Sequence, residues 1–355
     1  MYRKFNIGVT GLNSTDSPAP GIAVMKCISE VTTWKGRGIG FGYDALDAGL
    51  YVKDYFSHSY LLPYPSEGAD YLLNNILKVH NEVGLHFIIP TLDSELYNFL
   101  SIENDINKHG IMTFLPAREQ LESCSKINIG KLGDRLSISV PQDYCIRKTD
   151  KLGAAADTIG FPLIVKGLFY EAYKANNMNE AMGFVNKITK KWGMPVILQQ
   201  YIEGEEYNIT AVGDGRGDYI GAVCMKKLYI TDKGKAWSGI TIKDNSLFEI
   251  TERFFASMKW RGPLELELIK DKNTGEYNLL EVNPRFPAWI YLAKAAGINL
   301  PWLTVKIACG EKVKKTTEYK IGVIFNRYVD EVILKVDTLD ILNTKGAIHY
   351  EQKTL

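Results

Sequence analysis

Apolar and polar positions in the first third of the chain switch repeatedly between a period of two and a period near 3.6. Residues 5–12 (FNIGVTGL) form a short β-rich run ending in glycine, residues 13–21 (NSTDSPAPG) a polar loop, and residues 22–31 an apolar-periodic helix. Residues 37–43 read as a second strand. Residues 71–83 read as a helix with Leu72, Leu73, Ile76, Leu77 and Val79 on one side, Gly84 stops it, and residues 86–90 (HFIIP) start the next strand. Strands separated by helices predict a parallel sheet, a Rossmann-like layer.

From about residue 126 the pattern changes. Thr149 or Asp150 caps a helix running through Ile159, and residues 161–167 (FPLIVKG) read as a buried strand carrying one lysine. Residues 179–192 have the texture of a surface helix. Residues 196–202, 207–212 and 219–225 read as antiparallel strands joined by glycine-rich turns. Ser246 and Glu249 make a capping box opening a helix from 247 to about 259. Residues 264–270 and 277–282 form a hairpin across 271–275, and a helix at 288–296 ends at Gly297. In the tail, 321–328 and 331–336 read as strands that either close the fold or pair with another subunit.

Composition narrows the classes. The 355 residues exceed one ordinary core, and 46% hydrophobic with 23% charged residues is the balance of a globular chain. Lys+Arg is 42 against Asp+Glu 41, a net charge of +1, so no general basic field favours nucleic acid. The five cysteines are scattered and never spaced as CxxC, and the five histidines form no HExxH, which argues against a disulfide framework or a zinc site. With no apolar run approaching ~20 residues and no signal-peptide layout, the expectation is a cytoplasmic chain with no membrane partner.

The glycines at 8, 11 and 21 do not make GxGxxG, so plain turn geometry is the favoured reading. Ligands of parallel sheets sit beyond the strand carboxyl ends, which leaves Asn13, Asp16 and residues 91–93 facing a possible cleft. The sharper signal is LELELI at 264–269. Alternation puts Leu264, Leu266 and Leu268 on one face, Glu265 and Glu267 on the other. In LLEVNPR, Glu281 and Asn283 share a face. Paired as a hairpin, the two strands bring Glu267, Glu281 and Asn283 together as hard oxygen ligands suited to Mg²⁺ holding polyphosphate, with Arg285 just beyond. The competing reading is a solvated acidic face. Lys166 is either a snorkelling edge-strand lysine or a cation aimed at phosphate. The segment ILQQYIEGEEYNI is either an acid-tipped hairpin or a place where extended backbone meets an adenine edge.

Read together, PLIVKG, YIEGEEYNI and GPLELEL…LLEVNPRF, followed by AAGINLP and ACGE, resemble the ATP-grasp superfamily, specifically its carbamoyl-phosphate-synthase-like carboxylate–amine ligases. The resemblance spans about residues 125–312. It implies an α/β (α+β ATP-grasp) fold: a Rossmann-like pre-ATP-grasp domain at 1–122, a small lobe or lid at 123–202, a large lobe with the metal site at 203–315, and C-terminal strands at 316–355 completing the fold. It implies that Lys126 (with Lys131 competing) and Lys166 contact phosphate, that Gln199 and Gln200 stand where the family often has an acidic adenine contact, and that the backbone at Tyr201 and Ile202 meets adenine. Glu206 matches the ribose carboxylate, Glu267, Glu281 and Asn283 the Mg²⁺ ligands (Mn²⁺ an alternative), Arg285 the phosphate-stabilising arginine, and Lys227 a further phosphate contact. Phe286, Pro287, Ala288 and Trp289 fill a place that is often small in the family and so shape the acceptor pocket.

The implied chemistry is activation of a carboxylate by ATP as an acyl phosphate, releasing ADP, followed by displacement of phosphate by an amine. Small-molecule carboxylates and amines, amino acids or peptides among them, are the expected substrates, and a homo-oligomer is compatible with the sequence. Two alternatives stand beside this: a kinase-like phosphoryl transferase, and a nucleotide-binding regulatory protein that has lost the chemistry. A Rossmann dehydrogenase lacks its glycine spacing here.

Overall fold

The computed structural model describes residues 2–15, 17–168 and 171–350. Three sheets organise the chain. The first holds β1 (Asn6–Val9), β2 (Gly38–Gly42), β3 (His58–Leu61) and β4 (Leu85–Ile89) in the order β3-β2-β1-β4, all parallel. Helix Pro20–Ser29 connects β1 to β2, and helix Ala69–Val83 connects β3 to β4. The latter buries Leu72, Ile76 and Val79 of the expected side together with Val83, leaves Leu73 and Leu77 partly buried, and ends at Gly84 in the left-handed conformation, φ 67°. Strand β3 and helix Leu96–Lys108 are additions to the sequence reading. Strand β3 has only four residues; the helix buries Leu96, Phe99, Ile102 and Ile106 at helical spacing, a periodicity the sequence reading passed over.

The early glycines serve geometry. Gly11 sits at φ 66°, and a Cβ on Gly21 would stand 2.1 Å from the Thr10 carbonyl oxygen, so the turn after β1 closes only without side chains. Asp16, expected to face a cleft, lies outside the described residues.

The second sheet is antiparallel. It contains β5 (Asp143–Ile146), β6 (Leu163–Gly167), β7 (Ala172–Ala175) and β8 (Val196–Gln200) in the order β5-β8-β6-β7. Helices Leu152–Ile159 and Met178–Trp192 cover one face, packing Leu152, Val185 and Ile188 against Val165 and Leu198. The first of these helices follows a 3-10 turn at Thr149–Lys151 and has no side-chain cap, so neither Thr149 nor Asp150 caps it.

The third sheet is the largest: β9 (Gly204–Asp214), β10 (Tyr219–Ile230), β11 (Ala236–Ile242), β12 (Arg261–Asp271), β13 (Tyr277–Asn283) and β14 (Ile324–Asn326), ordered β13-β12-β9-β10-β11-β14. Its neighbours all run antiparallel. One face is apolar: Leu264, Leu266 and Leu268 are fully buried, with Phe254 and Phe255 of helix Asn245–Met258 in the same cluster. That helix is capped by Asp244, whose carboxylate accepts from the Ser246 N–H at 2.9 Å, and not by the Ser246–Glu249 box. Asp244 wins because it also accepts from the Tyr277 hydroxyl, a tertiary bond the local motif does not contain.

The tail divides between two sheets. Strand β14 edges the third sheet, whereas β15 (Ala347–His349) pairs antiparallel with β3 of the first. Residues 331–336 are not a strand; 331–335 lie outside any element and Val336 opens helix Val336–Lys345. No helix among the described residues is long and apolar enough to cross a membrane.

A histidine pair pins β15. His58 and His349 are register partners whose Nδ1 atoms lie 2.8 Å apart, and burial, reinforced by His349 and Arg37, pushes His58 down to about 4. A base whose folded pKa is depressed adds stability above its unfolded pKa, near 6.5, and loses it as pH falls toward the folded one. Unfolding midpoints should therefore drop between pH 6.5 and 4 in the wild type and drop less in His58→Gln. Equal slopes in urea titrations across that range would refute the link.

Candidate functional site

Opposite its apolar face, the third sheet carries a polar one, and strand register builds it. Glu267 on β12 stands directly across from Glu281 on β13 and from Asn208 on β9, while Glu265 stands across from Asn283 and Thr210. The register shifts between Glu267 and Leu268, so Leu268 faces Leu279 and Leu280 becomes the extra residue. This bulge lets Glu281 and Asn283 share the polar face while Val282 and Leu279 both join the core.

The polar face is held by charge. Lys227, 7% exposed, lies 2.6 Å from Glu206 and 3.1 Å from Glu267, and also donates to the Gly234 carbonyl at 3.1 Å. Burial alone would lower this lysine, but Glu267 and Glu206 hold it above its ordinary range. The same contact keeps Glu267 below the usual carboxylate range against the upward pull of burial. Glu265 has no such cation beside it. Burial and the neighbouring Glu267 push it up to about 7, against Arg285 and the bonds from Trp289 Nε1 and Asn208 Nδ2, each 2.6 Å. Asn283 Nδ2 bridges the two carboxylates, 3.0 Å from Glu265 and 2.8 Å from Glu267.

Arg285 leaves the end of β13 to bond Asn283 Oδ1 at 3.2 Å and, from Nε, Asp93 at 2.9 Å. Asp93 follows β4 of the first sheet, and this ion pair joins the loop after β4 to the end of β13. Burial works against the arginine's charge, and Asp93 followed by Glu265 more than restores it. Behind Asp93, the buried Glu95 accepts from Thr10, Tyr43 and the N–H groups of Thr91 and Leu92, tying together the carboxyl ends of β1, β2 and β4.

Two lysines complete the cluster. Lys126 is 3.2 Å from Glu281, while Lys131 is exposed on helix Ile129–Leu136. Lys166, on β6 of the second sheet, is partly buried. Burial lowers it and Lys126 adds to that, while Glu281, Glu267 and Glu206 pull the other way. Lys166 therefore lies within the electrostatic reach of the acidic face of the third sheet.

The connection between these sheets is Tyr201 to Glu203. Gln199 is buried within β8, whereas Gln200 is exposed and accepts from the Gln142 N–H at 3.3 Å. The N–H groups of Tyr201 and Ile202 donate to no main-chain carbonyl among the described residues. The Lys174 ammonium stands 3.7 Å from the Tyr201 ring centre. Sequence reasoning missed Asn208, the roles of Glu265 and Trp289, and the pairing of Asp93 with Arg285. Only the LELELI alternation pointed to Glu265, and nothing local pointed from Asp93 to an arginine 192 residues away. Trp289 does not simply line a pocket; its indole is spent on Glu265.

The donor set suits a hard cation. Two carboxylates face each other across one ladder with an amide beside them, and the Oδ1 of Asn208 is buried without a hydrogen-bond partner. Among the described residues no three His, Cys, Asp or Glu side chains gather closely enough to hold a metal alone.

Residues 193–330 match the family described as ATP-grasp in the biosynthetic pathway with Ter operon. The chain carries an ATP-grasp domain. Its homologues include carbamoyl phosphate synthase large chains: that of Thermoanaerobacter sp. (strain X514) is 25% identical over 238 residues, covering 63% of this chain and 22% of the relative. The chain therefore spans about a fifth of the length of these curated relatives. Among solved structures, the biotin carboxylase domain of Hydrogenobacter thermophilus 2-oxoglutarate carboxylase, in complex with MgADP, ADP and bicarbonate, superposes with a TM-score of 0.68 at 15% identity, over 88% of this chain and 72% of that one. An L-amino acid ligase from Bacillus licheniformis gives 0.65 at 16%, over 87% and 75%.

Removing Lys227 leaves Glu206 and Glu267 without their shared cation. Lys227→Met should cost about 3 kcal/mol or more in urea unfolding, the scale for stranding a buried charge. Adding Glu206→Gln should recover part of that loss. If Lys227→Met unfolds like wild type, the ion network does not hold this face.

Proposed function

We propose that the chain is an ATP-dependent, ADP-forming carboxylate–amine ligase. The observation that carries this reading is the facing pair Glu267–Glu281 with Asn283 beside it, with Lys126 on Glu281, Lys227 on Glu267, Arg285 on Asn283 and Lys166 within electrostatic reach. Neutralising the moving phosphoryl group is the main demand of acyl-phosphate chemistry, and cations gathered round acidic metal ligands meet it. Likeness to a ligase for amino acids and to a domain solved with MgADP supports the class of reaction.

In this reading ATP lies between the second and third sheets. Adenine meets the open backbone at Tyr201 and Ile202 beside Gln199 and Gln200, and Glu206 takes ribose hydroxyls. Glu267, Glu281 and Asn283 hold Mg²⁺, which screens the polyphosphate charge when bound. Lys126 and Lys166 bind phosphate oxygens. Lys227, already between Glu206 and Glu267, orients both carboxylates and adds positive charge. Arg285, fixed by Asp93, stabilises the phosphoryl group in transfer and the acyl phosphate it produces. The first sheet acts as the Rossmann-like domain that brings the Asp93 loop to the acceptor side, where the carboxylate and amine, amino acids or peptides among the candidates, are selected.

Glu281→Gln removes one charge at constant shape. It should abolish ADP and phosphate formation from ATP, Mg²⁺ and a pooled amino-acid and dipeptide library, with an unchanged circular dichroism spectrum. Full turnover in that variant would overturn the metal assignment. Lys166→Ala should chiefly weaken nucleotide affinity, at least tenfold if one charge-assisted contact is lost. Unchanged ATP binding by calorimetry would exclude Lys166 from the phosphate site.

A further inference from the structure

Strand β14 is the outermost strand of the third sheet, and the chain that continues from it is exposed without interruption from Tyr328 to Asp337. That stretch is rich in large apolar side chains: Tyr328, Val329 and Ile333 are 82%, 79% and 86% exposed, and Val332, Leu334 and Val336 are exposed as well. Among the described residues, no N–H from Tyr328 to Lys335 donates to a main-chain carbonyl; that of Glu331 goes to the Asp330 carboxylate. On the inner side of β14, Arg327 N–H donates to the Trp237 carbonyl and the Val323 carbonyl accepts from Thr241. Alternation therefore turns the main-chain groups of Ile324, Asn326 and Tyr328 toward the open edge. A long apolar edge of this kind is a template for another strand.

The sequence of this edge is complementary to itself. Laid antiparallel to a second copy about Val329, Ile324 meets Leu334, Phe325 meets Ile333, Asn326 meets Val332, and Tyr328 meets Asp330. Arg327 meets Glu331 twice, once on each side of a Val329–Val329 pair. No like charges are opposed, and the residues whose main-chain groups face the open edge fall opposite one another. An independent observation points to the same partner. The Arg327 guanidinium is partly buried, stacked 5.5 Å from the Phe325 ring centre with Nε on the Ala236 carbonyl, yet faces no carboxylate among the described residues. Burial lowers its pKa with no anion opposing. Glu331 of a second copy supplies that anion.

We propose that the chain forms a two-fold symmetric dimer in which residues 324–334 of two copies pair antiparallel about Val329, continuing the third sheet across the axis. The charged positions give a decisive test. Glu331→Arg, an exposed site whose side chain bonds nothing among the described residues, places arginine opposite Arg327; Arg327→Glu places glutamate opposite Glu331. In sedimentation velocity the wild type should run as a dimer, and Glu331→Arg, Arg327→Glu and Val329→Asp should each run as monomers with native circular dichroism. Mixing Glu331→Arg with Arg327→Glu should restore a dimer, because both cross-pairs then become Arg–Glu. A wild type that stays monomeric at every concentration, a dimer indifferent to Glu331→Arg and Val329→Asp, or a mixture that stays monomeric would each overturn the proposal.

Discussion

Lys227 is the interaction on which the site depends. A sheet face carrying Glu206, Glu265, Glu267 and Glu281 cannot fold against a second sheet unless its charge is answered, because carboxylates stripped of water repel one another and favour neutrality. Lys227 answers two of them at once, Lys126 a third, and Arg285 lends its field to Glu265 while anchored on Asp93. Glu265 shows what happens at the margin of this compensation: with amides and an indole but no direct cation, it is pushed up to about 7. The cations proposed to meet phosphate are thus the ones that let this face fold.

The same economy links the first sheet to the third. Glu95 is buried with four donors, two hydroxyls and two main-chain N–H groups, so the loop after β4 is fixed from within its own sheet. That fixes Asp93 two residues earlier, and Asp93 fixes Arg285. An arginine at the end of a strand is a flexible group; tethered at Nε by a carboxylate and at Nη2 by Asn283, it has one orientation. The parallel sheet therefore contributes position to a cluster whose other members come from elsewhere.

What the sequence disclosed follows from the range of each interaction. Period-two alternation in LELELI and LLEVN is a one-strand property; it put Glu265 with Glu267 and Glu281 with Asn283, and an assumed hairpin between adjacent strands brought the two pairs together. Helix Ala69–Val83 and its stop at Gly84 were legible for the same reason. The bulge at Leu280 was not, because it is a property of the β12–β13 pair and only its effect on Leu279 reveals it. Asp93 was expected near a cleft by the rule for strand ends, but its partner lies just past a strand of another sheet. The cap at Asp244 displaced the Ser246 box through a bond to Tyr277, again a contact no local window contains.

The tail teaches the converse. Residues 331–336 have the β-branched, alternating composition of a strand, and within one chain they are not one. β-propensity measures how well side chains fit a pleated surface shared with a neighbour, so a strand signal specifies a demand for a partner and not the partner's identity. Inside the chain the demand goes unmet, because β14 ends at Asn326 and the chain then leaves for helix Val336–Lys345, which must start where it does for Leu342 to reach the first core and for β15 to reach β3. The connection has to span from one sheet to another, and a connector needs only polar residues. Ten exposed residues carrying six large apolar side chains are costly as a connector. Their composition is accounted for once the missing neighbour is the same segment of another molecule.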